Sequence, residues 1–379
     1  MNKVVMTIMV SLFTFCVSLQ AQNLSLNVEY LFTIGEGLEF GEPGYLYNPV
    51  GVTTDSKKNI FVGDHRGRVI HKYSPDGKYD MSFGAMGRGP GEFNRITKIA
   101  IDQNDNLLVL DRFQFKVSKF DLKTGSIEEF IYKDMPDMST MTLAPLKSDK
   151  FATIYVASGV LGSTDVNTNA LRVYEFGEEE SISSHFPIFK YQFDNKIPIE
   201  ENMGMAIGHK LTSVDGKKVV AGHIVYKGKL FLIDTVTGEV IITENPNIEA
   251  PYYVQYDVDS FSELEGMRGL VSSSGRGGNF RYQILYYSML LDANKNYLYH
   301  IYRHNEKGAE SLGDYIEIFS LEGTFINQFS LSDFIDYGED VRVFYRHIDH
   351  ENRLYVNRYF DDRDPDVRVY RLNISYNDE

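Results

Sequence analysis

Cysteine is nearly absent from this sequence of 379 residues, and tryptophan is absent altogether. The single cysteine, Cys16, lies close to the N-terminus, so the rest of the chain forms no disulfide and carries out no thiolate chemistry. Basic residues are also scarce, with 38 Lys and Arg against 53 Asp and Glu, which gives a formal net charge of −15. Because non-specific binding of nucleic acid needs a basic surface, this composition argues against a nucleic-acid partner.

Residues 1–21 have the features of a secretory signal peptide. A positive charge is followed by an uncharged apolar run that ends at Leu19, and Ala21 precedes a polar stretch. The pattern predicts cleavage after Ala21 and an exported mature chain, periplasmic or secreted, of residues 22–379 without a membrane span. Two alternatives stay open, because the apolar run could be retained as an anchor and Cys16 could be lipidated.

Aromatic and small turn-forming residues are plentiful. The chain has 26 Tyr, 25 Phe and 31 Gly, and 43% of its residues are hydrophobic. Aromatic residues favour strands and glycines favour turns, so the composition predicts a β-rich fold with a sizeable core.

One segment of the sequence matches the next at a fixed spacing. From Gly51 to Lys78 it contains four elements: a short apolar strand, a polar turn, a second apolar strand and a strand that alternates apolar with polar residues. The matched positions, each 47 residues apart, are Asp55 and Asp102, Asn59 and Asn106, Asp64 and Asp111, and Tyr73 and Phe120. A period of this length, with four short strands per unit, predicts the blades of a β-propeller.

Weaker copies bring the number of units to six. In the fifth copy, Asp292 and Asn296 are predicted to repeat the Asp–Asn pair of the first two. The last copy ends before a fourth strand, and the mature N-terminus offers a strand without a unit of its own. We therefore predict an all-β fold, a six-bladed β-propeller of four-stranded antiparallel blades, closed by the N-terminal strand. Residues 250–280 fit no blade and are predicted to be an insertion.

The stretch FGAMGRGPGEFNRITKIAIDQNDNLLVLDRFQFKVSKFD, which begins at Phe83, resembles an NHL-type repeat. Its Phe-Gly, glycine-rich link, apolar pair before Asp, and later Val-x-x-Phe carry the resemblance. The whole chain resembles the exported six-bladed β-propeller proteins of Bacteroidetes. This resemblance implies the fold but no activity, because such propellers include both enzymes and binding modules. No Gly-Lys-Ser/Thr follows the glycines, so we predict a link between blades rather than a phosphate-binding loop.

Basic residues follow the second strand of several units, and a further arginine lies in the glycine-rich link. The ends of equivalent strands meet at one face of a propeller, where arginines can bind a carboxylate, sulfate or phosphate with paired hydrogen bonds. The candidate ligand-binding residues are His65, Arg66, Arg88, Arg112, Arg303, His304 and Arg358. The alternative is structural, with the arginines paired to the repeat's own Asp64 and Asp111.

No metal ion or cofactor is predicted. The histidines lack the spacing of a zinc motif, although three of them could still meet from separate blades. These three are His209, His300 and His347. Calcium is the other possibility, because aspartates alternate in the sequence DDRDPD, but the glycine and the last glutamate of a calcium loop are missing. The three alternating aspartates are Asp362, Asp364 and Asp366.

The function expected from these patterns is binding of a ligand or partner at the mouth of the central channel. The ligand would be a small molecule, a saccharide or a protein. The chain has no Gly-x-Ser-x-Gly elbow and no other evident catalytic signature. The alternative is a hydrolase or lyase that acts on a sugar or lactone, with an acid–base or metal site at the channel mouth. A third class, an assembly module, would show a broad exposed apolar patch.

Overall fold

The structure is a computed structural model that describes residues 24–132, 142–155, 169–178, 182–189, 209–248, 253–257, 270–275, 278–305, 313–338 and 340–376. The predicted signal peptide and Cys16 lie outside these ranges. Among the residues described, no helix is both long enough and apolar enough to cross a membrane.

Six antiparallel four-stranded sheets form the blades of a ring, as predicted. The first strand of the chain, β1 (Leu24–Ile34), belongs to the last blade. Blade 1 contains β2 (Pro49–Thr54), β3 (Ile60–Asp64), β4 (Val69–Tyr73) and β5 (Tyr79–Phe83). A link with β6 (Ala85–Met86) and β7 (Glu92–Phe93) leads to blade 2, which contains β8 (Ile96–Ile101), β9 (Asn106–Asp111), β10 (Lys116–Asp121) and β11 (Ile127–Ile131). Blade 3 contains β12 (Ala144–Pro145), β13 (Lys150–Tyr155), β14 (Asn169–Glu175) and β15 (Ser183–Phe189).

The second half of the ring follows the same plan. Blade 4 contains β16 (His209–Ser213), β17 (Lys218–His223), β18 (Lys229–Asp234) and β19 (Val240–Glu244). A separate three-stranded sheet of β20 (Tyr253–Asp257), β21 (Leu270–Gly275) and β22 (Gly278–Ile284) lies in the segment for which the insertion is predicted. Blade 5 contains β23 (Tyr286–Ala293), β24 (Leu298–His304), β25 (Gly313–Phe319) and β26 (Phe325–Ser330), followed by a 3-10 helix (Leu331–Asp333). Blade 6 contains β27 (Arg342–Ile348), β28 (Arg353–Tyr359), β29 (Asp366–Tyr376) and β1.

The ring is closed by its two ends, and this confirms the predicted closure. β1 pairs antiparallel with β29 from Leu24 opposite Tyr376 to Ile34 opposite Val367. The innermost strands contact one another in the order β2, β8, β12, β16, β23, β27 and back to β2, so each blade touches two neighbours. Closure leaves the last blade with four strands and covers an edge that would otherwise be open.

Apolar contacts between adjacent blades form the core. The described residues contain six buried clusters, and each lies between two neighbouring blades. Between blades 1 and 2, for example, Phe61, Phe93 and Leu107 are fully buried. Truncating a buried Phe of this kind to Ala costs about 3–5 kcal/mol, so the blade interfaces hold the innermost strands rigidly in place.

A side-chain cap closes the turn after an innermost strand, and it explains the repeated Asp and Asn. Asp55 accepts hydrogen bonds from the backbone N–H of Asn59 (2.8 Å) and from its side-chain amide (2.7 Å). Asp102 and Asn106 repeat both bonds at 2.8 Å. Such caps fix a tight turn at the same place in each unit, so the repeat in the sequence is a repeat of turn geometry.

The predicted Asp292–Asn296 pair of blade 5 is wrong. Asn294 occupies the cap position there, because its side-chain oxygen accepts the backbone N–H of Asn296 (2.9 Å) and of Tyr297 (3.0 Å). Asp292 lies two residues earlier, on β23, and lines the central channel instead. An aspartate that is not needed for the turn is available for other contacts.

The glycine-rich segment links the outer strand of blade 1 to the innermost strand of blade 2, as predicted. The Gly89 N–H donates to Glu92 Oε2 (2.8 Å), and the Gly89 carbonyl accepts a hydrogen bond from the buried Lys116 ammonium (3.1 Å). Gly91 has a φ of +72°, and a Cβ there would lie 2.7 Å from Ile127 Cδ1. Glycine is therefore required by the path of the link.

Candidate functional site

A cavity of about 590 Å³ opens at one end of the central channel. Residues from all six innermost strands or the turns that follow them line it. Its polar lining includes Thr54, Lys98, Gln103, Thr212, Asp292, Arg346, His347 and His350. The volume falls within the range of small-molecule sites, about 300–1,000 Å³.

A β-bulge on β27 turns two consecutive side chains into this cavity. The pairing of β27 with β28 shifts register between Tyr345 and His347, which leaves Arg346 without a partner residue. In a regular strand, neighbouring side chains point to opposite faces, and the extra residue of a bulge suspends that alternation. Arg346 and His347 consequently both line the cavity.

Three cations from blades 2, 4 and 6 interact electrostatically, and we call them the channel cations: Lys98, Lys210 and Arg346. The described residues that line the cavity include Lys98 and Arg346 but not Lys210. Burial, together with the positive charges of Lys98 and Arg346, lowers the pKa of Lys210 to about 7. Burial also lowers the pKa of Lys98, an effect that Arg346 strengthens and Asp292 opposes. Burial likewise lowers the pKa of the Arg346 guanidinium, an effect that its hydrogen bond with Tyr359 opposes. Each cation therefore lies in an environment that penalises its charge.

The channel cations are short of partners within the described part of the chain. Neither Lys98 nor Lys210 makes a side-chain hydrogen bond or ion pair there. The Nε of Arg346 is buried and has no hydrogen-bond partner. All three residues are half-buried. Cations that are partly shielded from water are usually paired, so an incompletely paired cluster of three is an unusual arrangement for a purely structural role.

One carboxylate, Asp292, stands beside the channel cations and is held by several donors. Its Oδ2 accepts the backbone N–H of Ile348 (2.9 Å) and lies 2.7 Å from Nδ1 of His347. Burial alone would raise the pKa of Asp292, but His347, Lys98 and the Ile348 N–H together hold it below its usual value. Nε2 of His347 lies 3.2 Å from Oγ1 of Thr54, which comes from blade 1.

The other carboxylates around the cavity are engaged in its rim. Asp55 and Asp102 cap their turns, as described above. Asp349 accepts hydrogen bonds from the backbone N–H (2.9 Å) and the Nε (2.6 Å) of Arg353. Lys58 and Glu351 form an ion pair across the junction of blades 1 and 6. These contacts hold the rim carboxylates in place, and the described lining as a whole has six carboxylates against four Lys and Arg side chains. The positive charge of the channel cations is therefore confined to the inner side of the cavity.

The seven candidate residues of the sequence lie elsewhere. Six of them follow or end the second strand of a blade, and Arg88 is exposed on the link. Second strands run antiparallel to the innermost strands, so their ends lie at the face opposite the cavity. Among the described residues that line the cavity, none belongs to this set.

Two of these arginines are paired, although with other partners than the expected aspartates. Arg358 is buried and donates to Asp366 from Nε (2.8 Å) and Nη2 (2.5 Å). Arg303 likewise donates two hydrogen bonds to Asp314, at 2.6 and 2.8 Å. The carboxylates expected to pair, Asp64 and Asp111, instead accept backbone N–H groups, for example those of Gly67 (2.7 Å) and Arg95 (3.0 Å).

The remaining members of the set have varied surroundings. His65 Nδ1 lies 3.2 Å from the Ile96 carbonyl, and the His304 ring stacks on Tyr286 with centroids 4.8 Å apart. Arg66 is exposed and Arg112 is half-buried. Ligand binding at these positions stays a prediction.

Of the histidines considered for a metal site, His300 is sealed inside blade 5. Its Nε2 lies 2.8 Å from Ser288 Oγ and its Nδ1 lies 2.8 Å from Glu317 Oε2, with all three residues fully buried. Tyr226 donates a further bond to Glu317 (2.7 Å). The side chain of His209 lies outside the description, and in the calcium-like sequence Asp366 is bound by Arg358. Among the described residues, no group of three or more His, Cys, Asp or Glu side chains is arranged to hold a metal ion.

The channel cations and Asp292 could have been recognised in the sequence, because each is a charged residue within the innermost strand of its blade. The sequences are KIAID for blade 2, HKLTS for blade 4, SMLLDA for blade 5 and YRHI for blade 6. A charge inside a strand that lines the channel is the feature of the sequence that marks these residues.

Fold and cavity together define a six-bladed β-propeller with a polar, charged cavity at one mouth of its channel. The chain belongs to the DUF5128 family, described as a 6-bladed beta-propeller, whose family model matches residues 46–309. No match is found among the curated proteins.

Solved structures share the fold at low sequence identity. A member of the duf4221 family from Bacteroides vulgatus has a TM-score of 0.58 and 11% identity, over 94% of this chain and 100% of that chain. A candidate exported protein from Bacteroides fragilis has a TM-score of 0.51 and 14% identity, over 94% and 96% of the two chains. Virginiamycin B lyase from Staphylococcus aureus, in a catalytically inactive variant, has a TM-score of 0.45 and 13% identity, over 92% and 100%. The last likeness is too distant to bear on activity.

Proposed function

We propose that this protein is an exported binding protein whose ligand is a small anion held in the cavity at the channel mouth. The observation that carries the proposal is the incompletely paired cluster of Lys98, Lys210 and Arg346, of which Lys98 and Arg346 line a cavity of about 590 Å³. Preorganised cations that lack a protein carboxylate lose less on binding an anion than cations that must first break an ion pair. The likeness to a candidate exported protein and the predicted signal peptide support export.

The ligand class follows from the lining. A carboxylate, sulfate or phosphate group would contact the channel cations, and the rest of the ligand would meet the hydroxyls of Thr54, Ser56, Thr212 and Ser213. Acidic saccharides combine both features, an anionic group with a ring of hydroxyls. A neutral saccharide would leave the cations without a partner.

The experiment compares two sugars that differ only in charge. D-galacturonate and D-galactose share a ring, and the first carries a carboxylate where the second carries a hydroxymethyl group. In a thermal-shift assay of residues 22–379, galacturonate and inorganic sulfate are expected to raise the melting temperature, and galactose is not. A ligand at one hundred times its dissociation constant adds about 2.7 kcal/mol to the free energy of unfolding, which the assay detects readily.

Two variants test whether the thermal shift arises from binding at the channel cations. Lys98→Met should abolish most of the shift, because it removes a channel cation while keeping the length of the side chain. Lys78→Met is the matched control, since Lys78 lies on an exposed hairpin with its side chain 82% accessible. Equal shifts with both sugars, no shift with either anion, or an unchanged shift in Lys98→Met would each overturn the proposal.

A further inference from the structure

Beside the channel cations, three side chains from three blades form a hydrogen-bonded row that lines the same cavity. His347 of blade 6 places Nδ1 2.7 Å from Asp292 Oδ2 of blade 5 and Nε2 3.2 Å from Thr54 Oγ1 of blade 1. The side chains of His347 and Asp292 are 17% and 13% accessible. They are therefore shielded by protein and still reachable from the cavity.

The donors around Asp292 fix the protonation of this row. Besides His347, the carboxylate accepts the backbone N–H groups of Ile348 (2.9 Å) and Ala293 (2.9 Å) and the hydroxyl of Thr212 (3.3 Å). An ionised carboxylate is an acceptor only, so Nδ1 of His347 carries the proton and donates a hydrogen bond to Asp292 Oδ2. Nε2 then presents its lone pair, and the Thr54 hydroxyl donates to it. The Tyr355 ring stacks on the imidazole at 5.8 Å and holds its plane.

The same chain contains a chemically similar row that serves structure alone. Ser288, His300 and Glu317 have the same order of hydroxyl, imidazole and carboxylate, but all three are fully buried within one blade. No substrate could reach His300 without opening the blade. The row at His347 differs in the property that catalysis requires, because its imidazole faces a cavity with room for a ligand.

We propose that His347 is the general base of a hydrolase that acts on an anionic ester or lactone bound by the channel cations. This inference deepens the proposed function and rests on it. A water molecule takes the place of the Thr54 hydroxyl at Nε2, and His347 accepts its proton as the water oxygen bonds to the acyl carbon. Breakage of the acyl C–O bond then releases the alcohol oxygen, which takes the proton back from His347. Water and ester are consumed, and one carboxylic acid and one alcohol are formed.

Asp292 is a positioning residue in this scheme. It keeps the proton on Nδ1 and stabilises the imidazolium that forms when Nε2 takes up a proton. The channel cations hold the anionic group of the substrate and counter the negative charge that develops on the carbonyl oxygen.

The experiment uses 4-acetoxybenzoate, an ester whose para carboxylate cannot attack its own acyl group. Release of 4-hydroxybenzoate is followed by absorbance, with methyl 4-acetoxybenzoate as the uncharged control ester. The mature chain is expected to hydrolyse the anionic ester faster than the neutral one, and more slowly in D₂O than in H₂O. His347→Gln should lower kcat by about 10²-fold or more with little change in KM. Lys98→Met should raise KM, because the anionic group loses a partner, and should also lower kcat, because the developing charge loses a counter-charge.

The remaining outcomes separate catalysis from binding and from folding. Calorimetric titration with 4-acetoxybenzoate in His347→Gln reports whether the cavity still forms, and Asp292→Asn, with its nearly identical shape, should bind the ester but turn it over slowly. If the wild type binds 4-acetoxybenzoate without hydrolysing it, or if His347→Gln hydrolyses it at the wild-type rate, the catalytic proposal is overturned while anion binding stands. If the ester does not bind while sulfate and galacturonate do, the catalytic proposal is overturned and anion binding stands; if none of the three anions binds, both proposals fail.

Discussion

The two faces of this propeller use positive charge in opposite ways. At the ends of the second strands, Arg358 and Arg303 are each held by two hydrogen bonds to an aspartate of the adjacent strand. Within the innermost strands, Lys98 and Lys210 make no such pair in the described part of the chain, and the charges of Lys98 and Arg346 lower the pKa of Lys210. The first arrangement contributes to the stability of a blade. The second costs stability and is expected to persist only because a ligand compensates for it.

The largest expected effect on stability comes from removing one partner of a buried ion pair at the strand ends. Arg358→Ala leaves Asp366, which is 2% accessible, as an uncompensated buried charge. Loss of one partner of a buried ion pair costs about 3–5 kcal/mol, so the midpoint of urea unfolding should fall sharply. Lys78→Ala, which removes one member of an exposed ion pair with Asp76 (2.7 Å), should leave the midpoint of urea unfolding almost unchanged, because solvent screens the pair. A loss below 1 kcal/mol in Arg358→Ala would show that the strand-end arginines are not structural.

Removing a channel cation should increase stability, which is the opposite of the effect expected for Arg358→Ala. Lys210→Met removes an ammonium whose pKa falls from 10.5 in the unfolded chain to about 7 in the folded one. Below pH 7 the charged form is present in both states and the folded state bears the full penalty, so the variant should be more stable than the wild type by roughly 2–4 kcal/mol, with allowance for water in the cavity. As the pH rises from 7 to 10.5, the folded wild type releases the proton, its stability increases and the gap closes.

The measurement is urea unfolding of wild type and variant at pH 6 and pH 10, with the difference between them compared at each pH. Lys217→Met is the matched control, because Lys217 is an exposed lysine of the same hairpin. A variant that is less stable than the wild type at pH 6 would mean that Lys210 has a partner in solution, and the contrast between the faces would weaken.

Anion binding should depend on the same proton. Sulfate keeps its charge across the neutral range, so a change in its affinity reports on the protein. Because Lys210 loses its charge above a pH of about 7, the sulfate dissociation constant should rise by roughly tenfold between pH 6 and pH 9, which corresponds to about 1.4 kcal/mol. In Lys210→Met the affinity should be weaker at pH 6 and the profile much flatter. Calorimetric titration at the two pH values checks this, and an equally steep profile in the variant would exclude Lys210 as the cause.

The sequence predicts those parts of the molecule in which the contacting residues lie close together in the chain. The repeated Asp and Asn mark the turns after the innermost strands, and the period-two alternation marks half-buried strands, so the six blades and their closure can be predicted. Asp55 and Asp102 make their capping bonds within four residues of themselves. Local contacts of this kind leave a pattern in the sequence.

The cavity depends on contacts between distant parts of the chain. Lys98, Lys210 and Arg346 meet only because three blades face one axis, and the bulge that turns Arg346 inward leaves no mark in the composition of β27. Asp292 was assigned to a turn because its spacing resembled a cap, whereas Asn294 fills that position. The seven strand-end residues were expected at the ligand site because strand ends share a face, and the sequence did not show that the cavity opens at the other one.

The smallest expected effect tests whether the strand-end residues take part in anion binding. Arg112 follows the second strand of blade 2, and the structure places it half-buried, away from the residues that line the cavity. Arg112→Ala should therefore change stability by no more than about 0.5 kcal/mol and leave the sulfate dissociation constant within about twofold. Side-by-side titration of Arg112→Ala and Lys98→Met against sulfate makes the comparison between faces in one experiment. If Arg112→Ala instead lost affinity while Lys98→Met kept it, the strand-end face would be the anion site, and the channel cations would need another explanation for their missing partners.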